Sequence, residues 1–465
     1  MIDTQAIRTK ILDAAMRGKL TEQLPEDGTA EDLFQQIQEE KQALIRAGKI
    51  KKEKPLPDIT EDEIPFEIPS NWKWERIGAV LTLQSGKNIT ACEIKGFPDE
   101  EHKIPCYGGN GQRGFVCQSN VDGFHAIIGR QGALCGNINF AEGSFYATEH
   151  AVVVYEYADC DMLWIGMTLR FLNLNQYATS VAQPGLAVNK IDKVLMPLPP
   201  LAEQKRIVEK IEQIFSILDA IDALQAKYAG NLTALKAKLI DAAIQGKLTE
   251  QLPEDGTAEE LFQQIQEERH RQENEGKIKS VELAPPIEKT SQPFDIPANW
   301  KWTNLGNVTY IVRGGSPRPI KQYITTREDG INWIKIGDVE KGGKYIYSTH
   351  QKIIPEGEAK SRRVYPGDFL LTNSMSFGRP YISKIEGCIH DGWLLIHDLT
   401  GFNQDYLYFL LSSTYLYEQF TVKASGSTVD NLNIEKVKAA IISLPPLAEQ
   451  ERIVNQLNEL FAAME

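Results

Sequence analysis

Residues 11–40 read ILDAAMRGKLTEQLPEDGTAEDLFQQIQEE, and residues 239–268 read LIDAAIQGKLTEQLPEDGTAEELFQQIQEE. From position 12 onward, 25 of the 29 paired residues are identical. At the same offset of 228, Ile-Pro-Ser-Asn-Trp-Lys-Trp ending at Trp74 returns as Ile-Pro-Ala-Asn-Trp-Lys-Trp ending at Trp302. A third block, LPPLAEQKRIV at 198–208, returns at 444–454 with one change, now at an offset of 246. The stretches between these borders, roughly 75–197 and 303–443, match each other at no offset. Constant parts frame two variable parts, which is the layout of a double reader.

The constant parts read as helices. After Pro199-Pro200 the chain turns helical, with Glu203 in the first turn. Ile207, Ile211, Ile214, Leu218, Ile221, Gln225, Tyr228, Leu232, Leu235 and Leu239 then alternate spacings of 4 and 3, a seam that demands a partner helix. The seam would run on the order of 48 Å. The C-terminal copy supplies Ile453, Leu457 and Leu460 in place of Ile207, Ile211 and Ile214, and the N-terminal copy supplies Ile7 and Ile11 in place of Leu235 and Leu239. End plus beginning rebuilds the middle. This predicts a circular, pseudo-twofold chain whose two terminal helices lie antiparallel to the central one, and that removing residues 1–17 exposes Leu232, Leu235 and Leu239. A second, charged helix is expected over 30–47 and 258–275. Its short apolar face, Leu33, Phe34 and Ile37 with Leu261, Phe262 and Ile265, is either core or a docking face for two copies of one partner.

The length of 465 residues allows about three domains. The repeats divide the chain into N-terminal scaffold helices and linker at 1–70, a first variable domain at 71–198 and a central constant region at 199–298. A second variable domain at 299–443 and a closing helix at 444–465 complete it. The six cysteines form no Cys-x-x-Cys pair and no His stands at finger spacing, so no metal is expected and free thiols in a reducing cytosol are. The N-terminus has no cleavage pattern, and no run approaches the ~18 apolar residues of a membrane span. The expectation is a soluble cytoplasmic protein. A net charge of -13 argues against nucleic acid until it is located. Residues 75–198 carry -3, residues 303–443 carry +2, and the remaining scaffold carries -12. Phosphate contact requires a local basic surface rather than a basic protein.

Both variable stretches open with a short strand and a polar Gly-containing loop, Leu81 to Asn88 and Tyr310 to Arg318, and continue in alternating apolar strands with Gly turns. A helix follows in each, near 162–174 and 404–414. The fold class is α+β, with two strand-rich α/β domains held apart by two long antiparallel, coiled-coil-like helices. Arg, Asn, Gln and Ser on the loops are the side chains that read base edges, Arg on guanine and Asn or Gln on adenine. The candidates are Gln84, Ser85, Lys87, Asn88, Asn110, Gln112, Arg113, Arg130 and Gln131 in the first domain. In the second they are Arg313, Ser316, Arg318, Asn373, Ser374, Ser376 and Arg379. Gly109-Asn-Gly-Gln-Arg-Gly114 fits a dinucleotide fingerprint but opens a β-like run, not a helix. Asp99-Glu-Glu-His-Lys103 reads as a solvated loop rather than nuclease carboxylates, and His150 and His390-Asp391 as core or rim residues. No phosphate-binding G-x-x-x-x-G-K-[ST] loop and no Asn-Pro-Pro-aromatic amino-methyltransferase motif occurs.

Two variable domains, each closed by Leu-Pro-Pro-Leu-Ala-Glu-Gln-x-Arg-Ile-Val and a helix, with Gly-Lys-Leu-Thr-Glu in the adjoining repeat, resemble the specificity subunit of a type I restriction-modification system over essentially the whole chain. The chain departs from that pattern in stopping at Glu465, soon after its last helix begins, so the N-terminal helix must complete the second arm. The resemblance implies two target recognition domains, each reading half of a bipartite double-stranded DNA site. It implies two modification subunits that bind the scaffold, carry S-adenosylmethionine and methylate adenine, with restriction subunits added for cleavage. This chain would be non-catalytic and bind no cofactor itself. The other readings are a DNA-modifying enzyme with an unrecognised active site and a helical adaptor without DNA contact.

Overall fold

The computed structural model describes residues 1–465 apart from 53–54, 133, 180–184, 341, 374–376, 422–431 and 465. The chain forms two compact units, Met1–Ala226 and Lys227–Glu465. The class is mixed α and β, two strand-rich domains linked by a continuous helix, Leu201–Ile244, of 44 residues.

In the first unit, Lys73–Arg76 pairs antiparallel with Leu195–Leu198, placing Trp74 opposite Pro197. This two-stranded collar is the doorway through which the variable stretch enters and leaves. Beyond it, Thr82–Ser85, Ala151–Tyr155, His125–Gly129 and Ile138–Ala141 lie side by side, all antiparallel. A second sheet orders Gly111–Val116, Ile104–Gly108, Ser144–Ala147 and Val121–Asp122, with Ile104–Gly108 parallel to Ser144–Ala147. Alternation along one strand feeds two cores: Ile127 packs with Phe145 and Val153, while Ile128 packs with Val152, Val154 and Ile165. Helix Met162–Phe171, whose N-terminus is capped by Asp161, supplies Ile165 and Leu169 to the second core.

The second unit repeats this plan with other residues. Lys301–Asn304 and Ile441–Leu444 make the collar. Thr309–Arg313, Trp393–Asp398, Phe369–Thr372 and Pro380–Ser383 follow in the same antiparallel order, with Tyr345–Ile346 added parallel at the edge. Ile331–Ile334 runs parallel to Gly387–Ile389, as Ile104–Gly108 does to Ser144–Ala147. Two stretches without sequence likeness share a topology, because strand pairing uses backbone groups that every residue but proline supplies in full.

The repeated blocks assemble into one joint per unit. Glu203 is fully buried and accepts from Trp72 Nε1 at 2.7 Å, Gln23 Nε2 at 2.7 Å and Thr21 Oγ1 at 3.1 Å. Gln204 accepts from the backbone N–H of Asp161 at 3.0 Å and donates to Pro199 O at 3.0 Å. Arg206 pairs with Asp27 and donates to Glu22 O at 2.9 Å. Glu-Gln-x-Arg therefore ties the collar, the loop after the first helix and the variable domain together. A buried carboxylate persists only where donors surround it.

The terminal helices pack antiparallel to the central helix as expected, but the N-terminal one meets a different part of it. Thr4–Met16 runs antiparallel to the first part of the central helix: Arg8 pairs with Asp219 at 2.7 Å, Thr4 Oγ1 donates to Asp222 at 2.6 Å and Ile2 N to Gln225 at 2.5 Å. Ala15 and Met16 pack with Ile207, Val208 and Ile211. Residues 1–17 thus cover Ile207, Val208 and Ile211, and the expectation that they cover Leu232, Leu235 and Leu239 is corrected. In an antiparallel two-copy arrangement, a helix half packs against the half it does not resemble. In the second unit, Leu447–Ala462 passes the second part of the central helix in the opposite sense, with Lys236 over the Phe461 ring at 5.2 Å and Thr249 donating to Glu449 at 3.1 Å. Tyr228 and Leu235 of the predicted seam are exposed.

The apolar face of the second helix is core in four of six positions. Leu33 and Ile37 are buried in the first unit, Leu261 and Ile265 in the second. Those four are withdrawn as partner contacts, since a docking protein cannot reach them. Phe34 and Phe262 are half-buried, under Lys73 at 4.3 Å and Lys301 at 4.9 Å.

Candidate nucleic-acid interface

In the first unit the polar loops gather around the turn Thr148-Glu149-His150, between Ser144–Ala147 and Ala151–Tyr155. The opening strand ends at Ser85, and the loop is fastened by Gly86 N to Ala151 O and Lys87 N to Ala147 O, both 2.9 Å. A Cβ on Gly86 would stand 2.3 Å from Ala147 O, so only glycine allows this approach. The hairpin Ile104–Gly108 to Gly111–Val116 carries Asn110 on its tip and Gln112 and Arg113 on its return strand. It lies against the end of His125–Gly129 so closely that a Cβ on Gly129 would sit 2.0 Å from Gly109 O. Arg130 N donates to His150 O at 2.8 Å. These fastenings bring Lys87, Asn110, Arg113, Arg130 and Gln131 to one rim.

Gln84, Lys87, Asn88, Asn110, Gln112, Arg113 and Gln131 are exposed there, and Ser85 and Arg130 half-buried. Arg130 turns inward toward Leu186 O and Glu149 O, at 3.4 and 3.5 Å. Beneath the rim, burial pushes the Cys106 thiol up against the opposing pull of Arg113. Gly109 to Gly114 is the hairpin, with no helix opening from it. Asp99 to Lys103 is surface loop, Asp99 accepting from the N–H groups of Glu101 and His102.

The second unit builds its rim on the corresponding turn, His390-Asp391-Gly392. Gly314 N donates to Trp393 O at 2.9 Å and Gly315 N to Ile389 O at 3.2 Å, repeating the fastening of Gly86 and Lys87. Ser316 Oγ donates to Asp391 Oδ1 at 2.8 Å, Arg318 Nη2 to Asp391 Oδ2 at 3.3 Å and Arg313 Nε to Asp391 O at 3.2 Å. The Ser316 bond, with help from His390 and Arg318, holds the Asp391 carboxyl below the usual range, and burial lowers the His390 imidazole. Beside them opens a cleft of about 830 Å³, lined by Pro317, Arg318, Ile320, Trp333, Lys335 and His390 among others. Arg313, Arg318 and Arg379 are exposed. Asn373 is corrected: it is 2% exposed and donates to Asp391 O at 2.9 Å, so it supports the turn and reads nothing. Ser374 and Ser376 lie outside the described residues.

Sequence reasoning passed over Glu149 and Lys335, and it weighed His150 and His390-Asp391 only as core or rim residues, because they stand beside apolar strands. Their place at the centre of each rim is set by strands remote in sequence.

Amide, guanidinium and ammonium groups gathered on the rim of one strand-rich domain, and gathered again with different residues on a second, are the groups a DNA sequence-recognition subunit needs. The chain belongs to the family of the type I restriction modification DNA specificity domain, whose model matches residues 69–227 and 297–465. It is similar to the type I restriction enzyme EcoprrI specificity subunit of Escherichia coli, 42% identical over 149 residues that cover 32% of this chain and 36% of that one. Against the EcoEI specificity subunit of the same organism it is 24% identical, over 98% of this chain and 88% of the relative. For the EcoAI specificity subunit the identity is 28%, covering 66% and 63%. A chain from a solved structure of complex assembly in the type I R-M system shares the fold, with a TM-score of 0.57, 18% identity, and 86% and 92% coverage. In this family the chain is the recognition subunit and not the catalyst.

Proposed function

We propose that each unit reads one half of an asymmetric, bipartite double-stranded DNA site, the first with the rim around Glu149 and the second with the rim around Asp391. The duplicated joint carries the reading: one frame, built on Glu203 and again on Glu449, presents two rims with different side chains. A half-site of about three to five base pairs suits a few bidentate contacts, each contributing roughly 1–3 kcal/mol of discrimination. The exposed Arg, Lys, Asn and Gln side chains are the readers, and the central helix sets the unread spacer. Two modification subunits, one per scaffold copy, supply S-adenosylmethionine and methylate adenine, and restriction subunits add cleavage. On each charged helix, Phe34 or Phe262 is what remains of the partner face. Mapping methylated adenines in cells that carry this chain and its modification subunit tests the reading. A two-part motif is expected, and exchange of residues 75–197 for another specificity subunit's first domain changes one part. A one-part motif, or a change in both parts, refutes it.

A further inference from the structure

Asp391 is the point on which the second domain's reading loop closes. Its carboxylate holds Ser316 Oγ at 2.8 Å and Arg318 Nη2 at 3.3 Å, its N–H donates to Ser316 Oγ at 3.3 Å, and its carbonyl receives Arg313 Nε at 3.2 Å. A carboxylate on a surface that meets DNA weakens binding to every sequence alike, because it repels phosphates over the same range that Arg and Lys attract them. What it provides in exchange is direction. The Arg318 side chain is 81% exposed, and without a tether its long stem samples many rotamers. The Asp391 carboxylate, itself held by Ser316, bonds the guanidinium in the lining of the cleft that Trp333 and Lys335 also line. In water such an exposed pair contributes little, but water leaves when DNA covers the rim and the pair then strengthens.

We propose that Asp391 is a positioning residue for base recognition: it holds Arg318 so that the guanidinium forks onto the edge of one guanine rather than onto the nearest phosphate. The inference rests on the DNA-reading function proposed above. Arg is suited to the role because its planar fork matches guanine O6 and N7 only from a set direction. A lysine there would supply charge without that geometry.

The test uses the full chain assembled with its modification subunit, a randomised duplex library sorted for binding, and one unrelated duplex as a non-specific probe. Variants are Asp391→Asn, Arg318→Ala and the double. Asn keeps the size and an acceptor for Ser316, and thermal unfolding checks that the fold survives. Asp391→Asn is expected to bind the unrelated duplex about twofold tighter or better, since a negative charge is gone. The same variant should lose about tenfold in discrimination at one base pair of the second half-site. Arg318→Ala should abolish preference at that same base pair, and Asp391→Asn should subtract nothing further in the Arg318→Ala background. Unchanged base preference in Asp391→Asn, a uniform loss of affinity across all sequences, or an additive loss in the double variant overturns the proposal. A wild-type assembly with no base preference at all would instead remove the DNA-reading function, and this inference with it.

Discussion

Glu203 of the first unit accepts from Trp72 Nε1 at 2.7 Å and from Thr21 Oγ1 at 3.1 Å; Glu449 of the second accepts from Trp300 Nε1 and Thr249 Oγ1 at the same two distances. Gln204 receives the N–H of Asp161 where Gln450 receives that of Asn403, and each donating residue, Asp161 or Asn403, caps the helix of its variable domain. The rims show the opposite. One turn carries Glu149-His150 and the other His390-Asp391, the acid and the imidazole in reversed order, and the surrounding side chains share no pattern. Where sequence repeats, the Trp, Thr and Gln bonds of the joint repeat, although Gln23 reaches Glu203 while Gln251 turns to Thr249 O; where sequence diverges, only the strand order survives. A joint works by side-chain complementarity and tolerates little change, whereas a sheet works by backbone pairing and leaves its loop residues free to differ.

The largest expected effect comes from breaking that equivalence at the joint. Glu203→Ala leaves the buried Trp72 Nε1 without its acceptor, and Glu449→Ala does the same to Trp300 Nε1, so each variant should lose roughly 3 kcal/mol of stability in its own unit. Unfolding by denaturant measures both. A large loss in one unit and none in the other would show that the joints are not equivalent.

A smaller effect separates two buried cations at equivalent places, Lys41 and Arg269. Lys41 Nζ donates to Gly78 O at 2.7 Å and Leu81 O at 3.2 Å, and its counterpart Arg269 donates to Gly306 O at 2.8 Å and Thr309 O at 3.2 Å while its Nε is buried without a partner. Both satisfy the carbonyls at the end of a four-residue helix. Lys41→Met should cost about 2 kcal/mol, since those carbonyls lose their donor, whereas Arg269→Lys should stay within about 1 kcal/mol. Equal losses in the two variants would argue that bulk, and not donation, is what matters at this position.

The mildest contrast is in pH dependence. Burial pushes the Asp398 carboxyl up to about 6, and burial also raises Glu156 at the matching strand end of the first unit. An acid whose folded-state pKa is raised binds its proton more readily folded than unfolded, so Asp398 favours folding at low pH. That contribution is lost as pH rises from about 4 through about 6. Asp398→Asn keeps an acceptor for the Gly401 N–H, so the second unit should gain on the order of 1 kcal/mol at pH 7 and show a flatter profile below it. Thermal unfolding between pH 4 and 7 reads the difference, and an unaltered profile would mean that burial does not raise the Asp398 carboxyl.

Much of the frame was legible because duplication is visible in a single sequence. The helices at 30–47 and 258–275 are found at Ala30–Arg46 and Ala258–Asn274, and the opening strands fall at Thr82–Ser85 and Thr309–Arg313, each with its polar loop. Less of the site was legible. Arg113 and Arg318 were readable as polar groups on Gly-rich loops, but Asn373 has the same composition around it and is buried by the turn it supports. The face of Leu33 and Ile37 looked the same as core or as docking surface, because amphipathic spacing states that a face is covered and not by what.

The sequence by itself determined that one frame occurs twice, that it is helical, that it encloses two unlike strand-rich domains, and which family the chain resembles, since repeats and periodicity are properties of residue order. Tertiary structure decided which half of the central helix each terminal helix covers, that Glu203 and Glu449 are the buried hubs of the repeated motif, and that Glu149 and Asp391 lie at the centre of the rims. Those outcomes depend on pairing between segments as much as 223 residues apart, as between Ile2 and Gln225. Residue order names the groups available for such pairing, but only closure of the sheets and burial of the cores fix which of them meet.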